Sequence, residues 1–353
     1  MNKPKNMKAA VTVDEKQIEV ENFKIPSPRP GEILIKINYC LICTWEQRIF
    51  TGESSMDYPF ISGHEAAGEV VEIPADTVSN FDVGDKVVFK TLDHCGHCYF
   101  CYQGYDNQCI GNARKRYYIN SDNGNKVSGS GGLAQYISLP VDRVFPIDNN
   151  IDLKKAAFAE PLACCIHSIK RGDIKLGDKV VVNGAGIMGQ LHAYLAKMKG
   201  GIVTVIEPKK ERRDLAKSLG AHNVIDPNSK KGEQQIKSME GKIDLVINTV
   251  PITEVAKEVM KLLNKMGKII FYASFHPNKD INIDPNYIHY SEISITGSSG
   301  PATLDFLQAT RLINNEIIPT EKFISEQFDL EQINNALEAS LKAETYRILI
   351  SLN

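Results

Sequence analysis

No apolar stretch of the 353-residue chain is long enough to span a bilayer. The opening residues Met1-Asn2-Lys3-Pro4-Lys5-Asn6 are polar where the core of a secretory signal is apolar. An excess of either charge is also missing: 41 Lys and Arg stand against 43 Asp and Glu. That balance offers no electrostatic footing for nucleic acid or an anionic membrane as partner. Repeats and low-complexity tracts are absent as well. These absences leave a soluble, cytoplasmic protein as the expectation. In that setting the eight cysteines read as metal ligands or buried thiols, not as disulfides.

What is present divides the chain in two. From about residue 8 to 150, short β-branched runs such as Glu32–Ile37, Gly68–Ile73 and Asp85–Phe89 are broken by turn residues such as Pro30-Gly31 and Val83-Gly84-Asp85. That pattern predicts a barrel-like all-β domain. Near residue 152 the pattern changes. Asp152 is placed to cap a helix running to about Arg171, bent or interrupted at Pro161. Apolar strands at 179–183, 202–206, 244–248 and 268–272 then alternate with helices at 189–198, 209–219 and 256–264. Such alternation predicts a parallel sheet covered on both faces. A helix-rich segment, 301–343, ends in a strand-like 346–351.

The sequence Gly184-Ala185-Gly186-Ile187-Met188-Gly189 follows an apolar strand and opens a helix, the context in which a glycine fingerprint signifies a dinucleotide site. Gly184 permits the tight turn, Gly186 the approach of a pyrophosphate, and Gly189 the close packing of helix on strand. The pyrophosphate then meets the helix N-terminus at Ile187 and Met188. Glu207 ends the second strand, where a carboxylate accepts ribose hydroxyl bonds and repels a 2′-phosphate, so NAD is expected over NADP. Lys209, Lys210, Arg212 and Arg213 follow, and a 2′-phosphate would welcome them; as a group they read as a solvated helix face, with Arg212 kept as a cofactor-binding candidate.

Cys95, Cys98, Cys101 and Cys109 suit a closed four-thiolate zinc site with no open position. His94 and His97 lie among them as bystanders or hydrogen-bond donors. A second metal site is offered by Cys43 and His64, with Glu65 and Glu160 as alternative oxygen ligands. A zinc with three protein ligands keeps a position for an alcohol oxygen. Each of these residues also has a bland reading, as buried thiol, core histidine or surface charge, which the company of the lobe and the fingerprint outweighs.

These residues resemble the zinc-containing medium-chain dehydrogenase/reductase family over nearly the whole chain. The likeness rests on the stretch from Gly63-His64-Glu65 to Glu72, the turn Phe81–Val87, the four-cysteine lobe, Ala159-Glu160-Pro161-Leu162-Ala163 and the fingerprint, all in the family's order. The Glu-Pro-Leu element and the His-Glu pair point to the polyol, sorbitol-type dehydrogenase branch. The resemblance implies an α/β chain with a GroES-like β-barrel catalytic domain (1–152, zinc lobe about 94–110) and a Rossmann-fold NAD-binding domain (153–297). A C-terminal segment, 298–353, returns to the catalytic domain. It also implies catalytic and structural zinc, NAD, a homodimer or homotetramer, and a small polyol or polyol phosphate as substrate. Cys43, His64 and Glu65 carry over as ligands of the catalytic zinc, with Glu160 direct or through water.

Three departures stand out. The family places Ser or Thr two residues after the zinc cysteine as a proton relay; here that residue is Trp45, with Thr44 one step early and the following carboxylate present as Glu46. Where several polyol dehydrogenases carry an arginine after the last sheet strand, this chain has Gly297-Ser298-Ser299-Gly300. Arg48 is a hint of a phosphorylated substrate. The competing readings are a butanediol- or threonine-type dehydrogenase and a non-catalytic binding protein on the same fold. A quinone or enoyl reductase is disfavoured by the cysteine lobe, His64-Glu65 and Glu207.

Overall fold

The computed structural model describes residues 4–54, 56–111, 117–120, 126–276 and 279–353. Contacts divide the chain into two units, Met1–Ala163 with Ala302–Asn353, and Cys164–Pro301.

Among the described residues the first unit begins with the strands β1 (Asn6–Asp14), β2 (Gln17–Lys24), β3 (Glu32–Ile42), β4 (Phe60–Ile61), β5 (Glu65–Glu72), β6 (Lys86–Phe89), β7 (Tyr117–Asn120), β8 (Lys126–Gly129), β9 (Tyr136–Pro140) and β10 (Val144–Ile147). Among the described residues they form a sheet ordered β2-β1-β4-β8-β7 and a second that contains β10-β6-β5-β3, with β9 also on β3. The long strand β3 is the spine. Its Ile33, Ile35, Ile37, Cys40 and Ile42 are all buried in one cluster with Val70, Val87, Phe89 and Leu139. The β3–β5 register sets Leu41 opposite Glu65. Cys43, just past the end of β3, therefore lies across from His64, just before the start of β5.

In the second unit β11 (Lys179–Asn183), β12 (Ile202–Ile206), β13 (Asn223–Ile225), β14 (Ile243–Asn248), β15 (Leu263–Phe271) and β16 (Ser294–Gly297) form a parallel sheet ordered β13-β12-β11-β14-β15-β16. In chain order this is 3-2-1-4-5-6, the Rossmann arrangement, whose strand order reverses between β11 and β14. Val181, Val246 and Ile269 are fully buried, as central strands covered on both faces require. At the reversal the buried Asn183 Nδ2 donates to Asn248 Oδ1 at 2.7 Å.

Two details differ from the expectations. Asp152 does cap a helix, accepting from the Lys154 N–H at 2.9 Å. That helix is only Leu153–Ala156, and a second one, Ala159–Gly172, follows. Pro161 lies in the first turn of the second helix, where its missing N–H costs no bond. The C-terminal segment also holds a strand that helical periodicity hid: β17 (Ile324–Asp329) pairs in parallel with β18 (Arg347–Ser351). Strand β18 pairs antiparallel with β3, so Ile348 and Ile350 join the first unit's core.

Candidate metal centres and dinucleotide site

Cys43 caps the helix Thr44–Thr51. Its Sγ accepts from the Trp45 N–H at 3.2 Å, and Glu46, three residues on, reaches back to the Cys43 N–H at 3.0 Å. This capping box holds the sulfur at a helix start. Gly63 is at φ +94°, and a Cβ there would stand 2.4 Å from the Leu133 nitrogen, so only glycine lets the chain deliver His64. The ligand atoms of Cys43, His64 and Glu65 come within 4.8 Å of one another.

A single carboxylate organises this group. Glu46 is buried; its Oε1 meets His64 Nδ1 at 2.8 Å and accepts from the Gly63 N–H at 3.1 Å. With Nδ1 engaged, His64 turns Nε2 toward Cys43 Sγ, 3.4 Å away. A partner on one imidazole nitrogen orients the other as a metal ligand. Glu65 is held by Arg347, whose Nε and Nη2 each donate to one carboxylate oxygen at 2.8 Å, with both residues buried.

Burial and neighbouring charges set the ionisation of the group. Burial, and then Glu46, pushes the Cys43 thiol up to about 12. Burial works against a charged His64, but Glu46 and Cys43 carry its pKa well above the usual value. Glu46 is itself lowered, because His64 and the Cys43 amide outweigh its burial. Without a metal the group keeps protons that a divalent ion would displace. The donor set of one thiol, one imidazole and one carboxylate fits a zinc ion that retains an open position.

The other residues named for this site are placed differently. Glu160 lies in the first turn of the helix Ala159–Gly172 and is not among the three residues gathered within 4.8 Å. Thr44 is exposed at the first position of its helix. Trp45 sets its ring edge-on to His64, with centroids 5.5 Å apart. Arg347 was missed by motif reasoning; the available signal was a lone cation in the apolar run Ile348-Leu349-Ile350.

The lobe is a second kind of centre. The sulfurs of Cys95, Cys98, Cys101 and Cys109 lie within 4.8 Å of one another, and all four thiols are free. The backbone N–H groups of Cys101 and Ile110 lower the Cys98 thiol to about 6, favouring thiolate. His97 meets the Cys95 carbonyl at 2.6 Å, while His94 lies 3.6 Å from Asp142. Asp106 ties the lobe down: its carboxylate pairs with buried Lys90 and accepts from the Thr303 N–H at 2.9 Å and hydroxyl at 2.8 Å. Four thiols fit a closed zinc site.

In the second unit a Cβ at Gly189 would stand 2.1 Å from the Gly184 oxygen, and one at Gly184 2.7 Å from both Thr249 and Val250 side-chain atoms. A Cβ at Gly186 would meet only the Arg212 Nη1, at 3.9 Å, so the loop leaves an open cradle there. Gly186 precedes the helix Ile187–Met198, whose start no side chain caps. This arrangement fits a pyrophosphate. Glu207 is buried, accepting from the Ala185 N–H at 2.7 Å and the Lys209 N–H at 3.0 Å. The carboxylate thus ties the glycine loop to the end of β12. Arg213 donates to the Glu207 and Pro208 carbonyls at 2.8 and 2.6 Å and pairs with Asp226 at 3.1 Å.

Comparison with known proteins agrees with both units. Residues 29–149 match the alcohol dehydrogenase GroES-like domain and residues 188–315 the zinc-binding dehydrogenase domain. The sorbitol dehydrogenase of Halalkalibacterium halodurans is 29% identical over 92% of this chain and 94% of its own. The D-arabitol-phosphate dehydrogenase of Enterococcus avium is 27% identical over 96% and 94%. A zinc-binding dehydrogenase of Sinorhizobium meliloti, solved bound to NADP, superposes with a TM-score of 0.87 at 26% identity, covering 99% of this chain and all of its own. No helix among the described residues is long and apolar enough to cross a membrane. With a GroES-like barrel, a Rossmann sheet and two thiol-bearing centres in the family's order, the chain belongs to the zinc-containing medium-chain dehydrogenase/reductase family, in its polyol dehydrogenase branch.

Proposed function

We propose that the protein reversibly oxidises a secondary alcohol of a polyol or polyol phosphate to the ketone, using zinc and NAD. The observation that carries this reading is the Cys43–His64–Glu65 group with Glu46 fixed behind it. The alcohol carbon gives up a hydride, its oxygen a proton, and a carbonyl remains. When bound, zinc supplies Lewis-acid polarisation that lowers the alcohol's pKa, and the nicotinamide supplies the hydride acceptor.

The chain's own residues do the rest. Glu46 keeps the His64 ring in the tautomer and orientation that present Nε2. Arg347 balances the buried charge of Glu65. The alcohol proton leaves through water to a carboxylate, with Glu160 as acceptor. Trp45 has only an indole N–H donor and cannot accept it. Cys95, Cys98, Cys101 and Cys109 hold a structural zinc. NAD is favoured over NADP because a 2′-phosphate would crowd the Glu207 carboxylate. Relatives named for sorbitol and for arabitol phosphate support the polyol class. The solvent-facing edge strand β16 supports a homodimer or homotetramer.

The test is to mix protein and NAD with free and phosphorylated sugar alcohols and follow NADH absorbance, with and without a chelator. Chelator-sensitive turnover on at least one polyol is expected. Its absence across the panel, together with a single zinc held only by the lobe, would favour the binding-protein reading.

A further inference from the structure

Trp45 is the only tryptophan of the chain. Its backbone N–H donates to Cys43 Sγ, so the residue is fixed to one of the proposed zinc ligands. Its ring meets a second one, His64, edge-on at 5.5 Å and 80°. Phe60, buried in β4, meets the ring in the same fashion at 5.8 Å and 78°. Two aromatic contacts therefore hold the indole in one orientation.

Exposure shows which flank of the group faces outward. Cys43 and Glu65 are 8% and 1% exposed, whereas the His64 side chain is 18% exposed. Trp45, lying on the His64 ring, is itself partly exposed. The indole therefore lies on the more open flank of the group, against the His64 ring. Among the described residues the indole N–H has no hydrogen-bond partner. A fixed apolar face with a spare donor, beside two of the proposed zinc ligands, has the chemistry to select among substrates and lacks the acceptor a proton relay needs.

We propose that Trp45 determines alcohol specificity. Its ring limits the bulk admitted beside the reacting carbinol, and its N–H donates to a second hydroxyl on the neighbouring carbon. This rests on the function proposed above and sharpens it toward vicinal diols.

The experiment compares kcat/KM for 2,3-butanediol, 2-butanol and 1-phenylethanol in the zinc-loaded native protein, Trp45→Ala and Trp45→Phe. Trp45→Ala should move the ratio of 1-phenylethanol to 2,3-butanediol upward by about tenfold or more, the scale of steric discrimination in a pocket. Trp45→Phe keeps an aromatic wall but loses the donor, and should reduce the preference for 2,3-butanediol over 2-butanol about fivefold, one hydrogen bond's worth. A second readout needs no variant. With 5-fluorotryptophan incorporated, the single fluorine resonance should shift when 2,3-butanediol is added with NADH, a pair that cannot react. A Trp45→Ala ratio within twofold of native, or a fluorine signal that 2,3-butanediol leaves in place, overturns the role of Trp45 while native turnover stands. A native protein that oxidises no alcohol removes the proposed function and this inference together.

Discussion

The two thiol-bearing centres of the first unit are built by opposite routes. The lobe takes all four sulfurs from one short segment, Cys95 to Cys109, and no carboxylate belongs to the cluster. The Cys43 group takes its atoms from the end of β3 and the start of β5, and surrounds them with Glu46 and Arg347. The lobe's charge is met by backbone amides, as at Cys98; that of the other group is met by buried side chains. Four like donors close a tetrahedron, whereas a mixed set backed by oriented partners suits a site that must accept and release a substrate. A local cluster is a staple, and a cluster assembled over long range can be tuned.

Removing a ligand separates the two most sharply. His64→Ala should leave about one zinc per chain instead of about two and cut turnover on the order of 1000-fold, the loss of several kcal/mol of polarisation. Metal analysis after mild chelation checks this, and loss of both zincs would erase the distinction. On the lobe side, Asp106→Ala leaves Lys90 charged and buried without its partner. That costs about 3–5 kcal/mol in denaturant unfolding, and retained stability would mean that the lobe is not anchored there.

The proton route comes next in size. Glu160→Gln should slow turnover about 100-fold, as for a lost general base, while Thr44→Val stays within several-fold of native. The reverse ranking would make Thr44 the relay. Glu46→Gln should weaken zinc at the Cys43 group about 10- to 100-fold without touching the lobe. There is a pH signature too. The Cys43 thiol is held up to about 12, so zinc binding near neutral pH must release its proton. Affinity at this group should rise about tenfold per pH unit from that proton alone. Titrations between pH 6 and 8 that show no such rise would contradict a thiolate ligand. The smallest effect is expected at Glu207→Ala, which should narrow the preference for NAD over NADP by about tenfold; a native preference for NADP would defeat the ribose argument.

Much of this molecule is written in short-range patterns. The cysteine spacing from 95 to 109, the strand–glycine–helix run at 179–198 and the alternation of apolar strands with amphipathic helices each express a local geometry, and the parallel sheet formed as that alternation requires. Other features do not exist until distant segments meet. Arg347 reaches Glu65 across 282 positions because β18 inserts beside β3, and no spacing rule connects them. Strand β17 was hidden because its pairing partner, not its periodicity, makes it a strand. Glu46 is legible as a capping residue from its place three positions after Cys43, but its grip on His64 depends on the β3–β5 register. Glu207 stands at its strand end by sequence, yet its bond to the Ala185 amide follows from how loop and strand pack. The sequence by itself determined which side chains could be put forward as metal and dinucleotide ligands, since spacing and turn residues act within a few residues. Only the tertiary structure decided which of them share a charge, because buried carboxylates and cations pair across strands that the chain order keeps far apart.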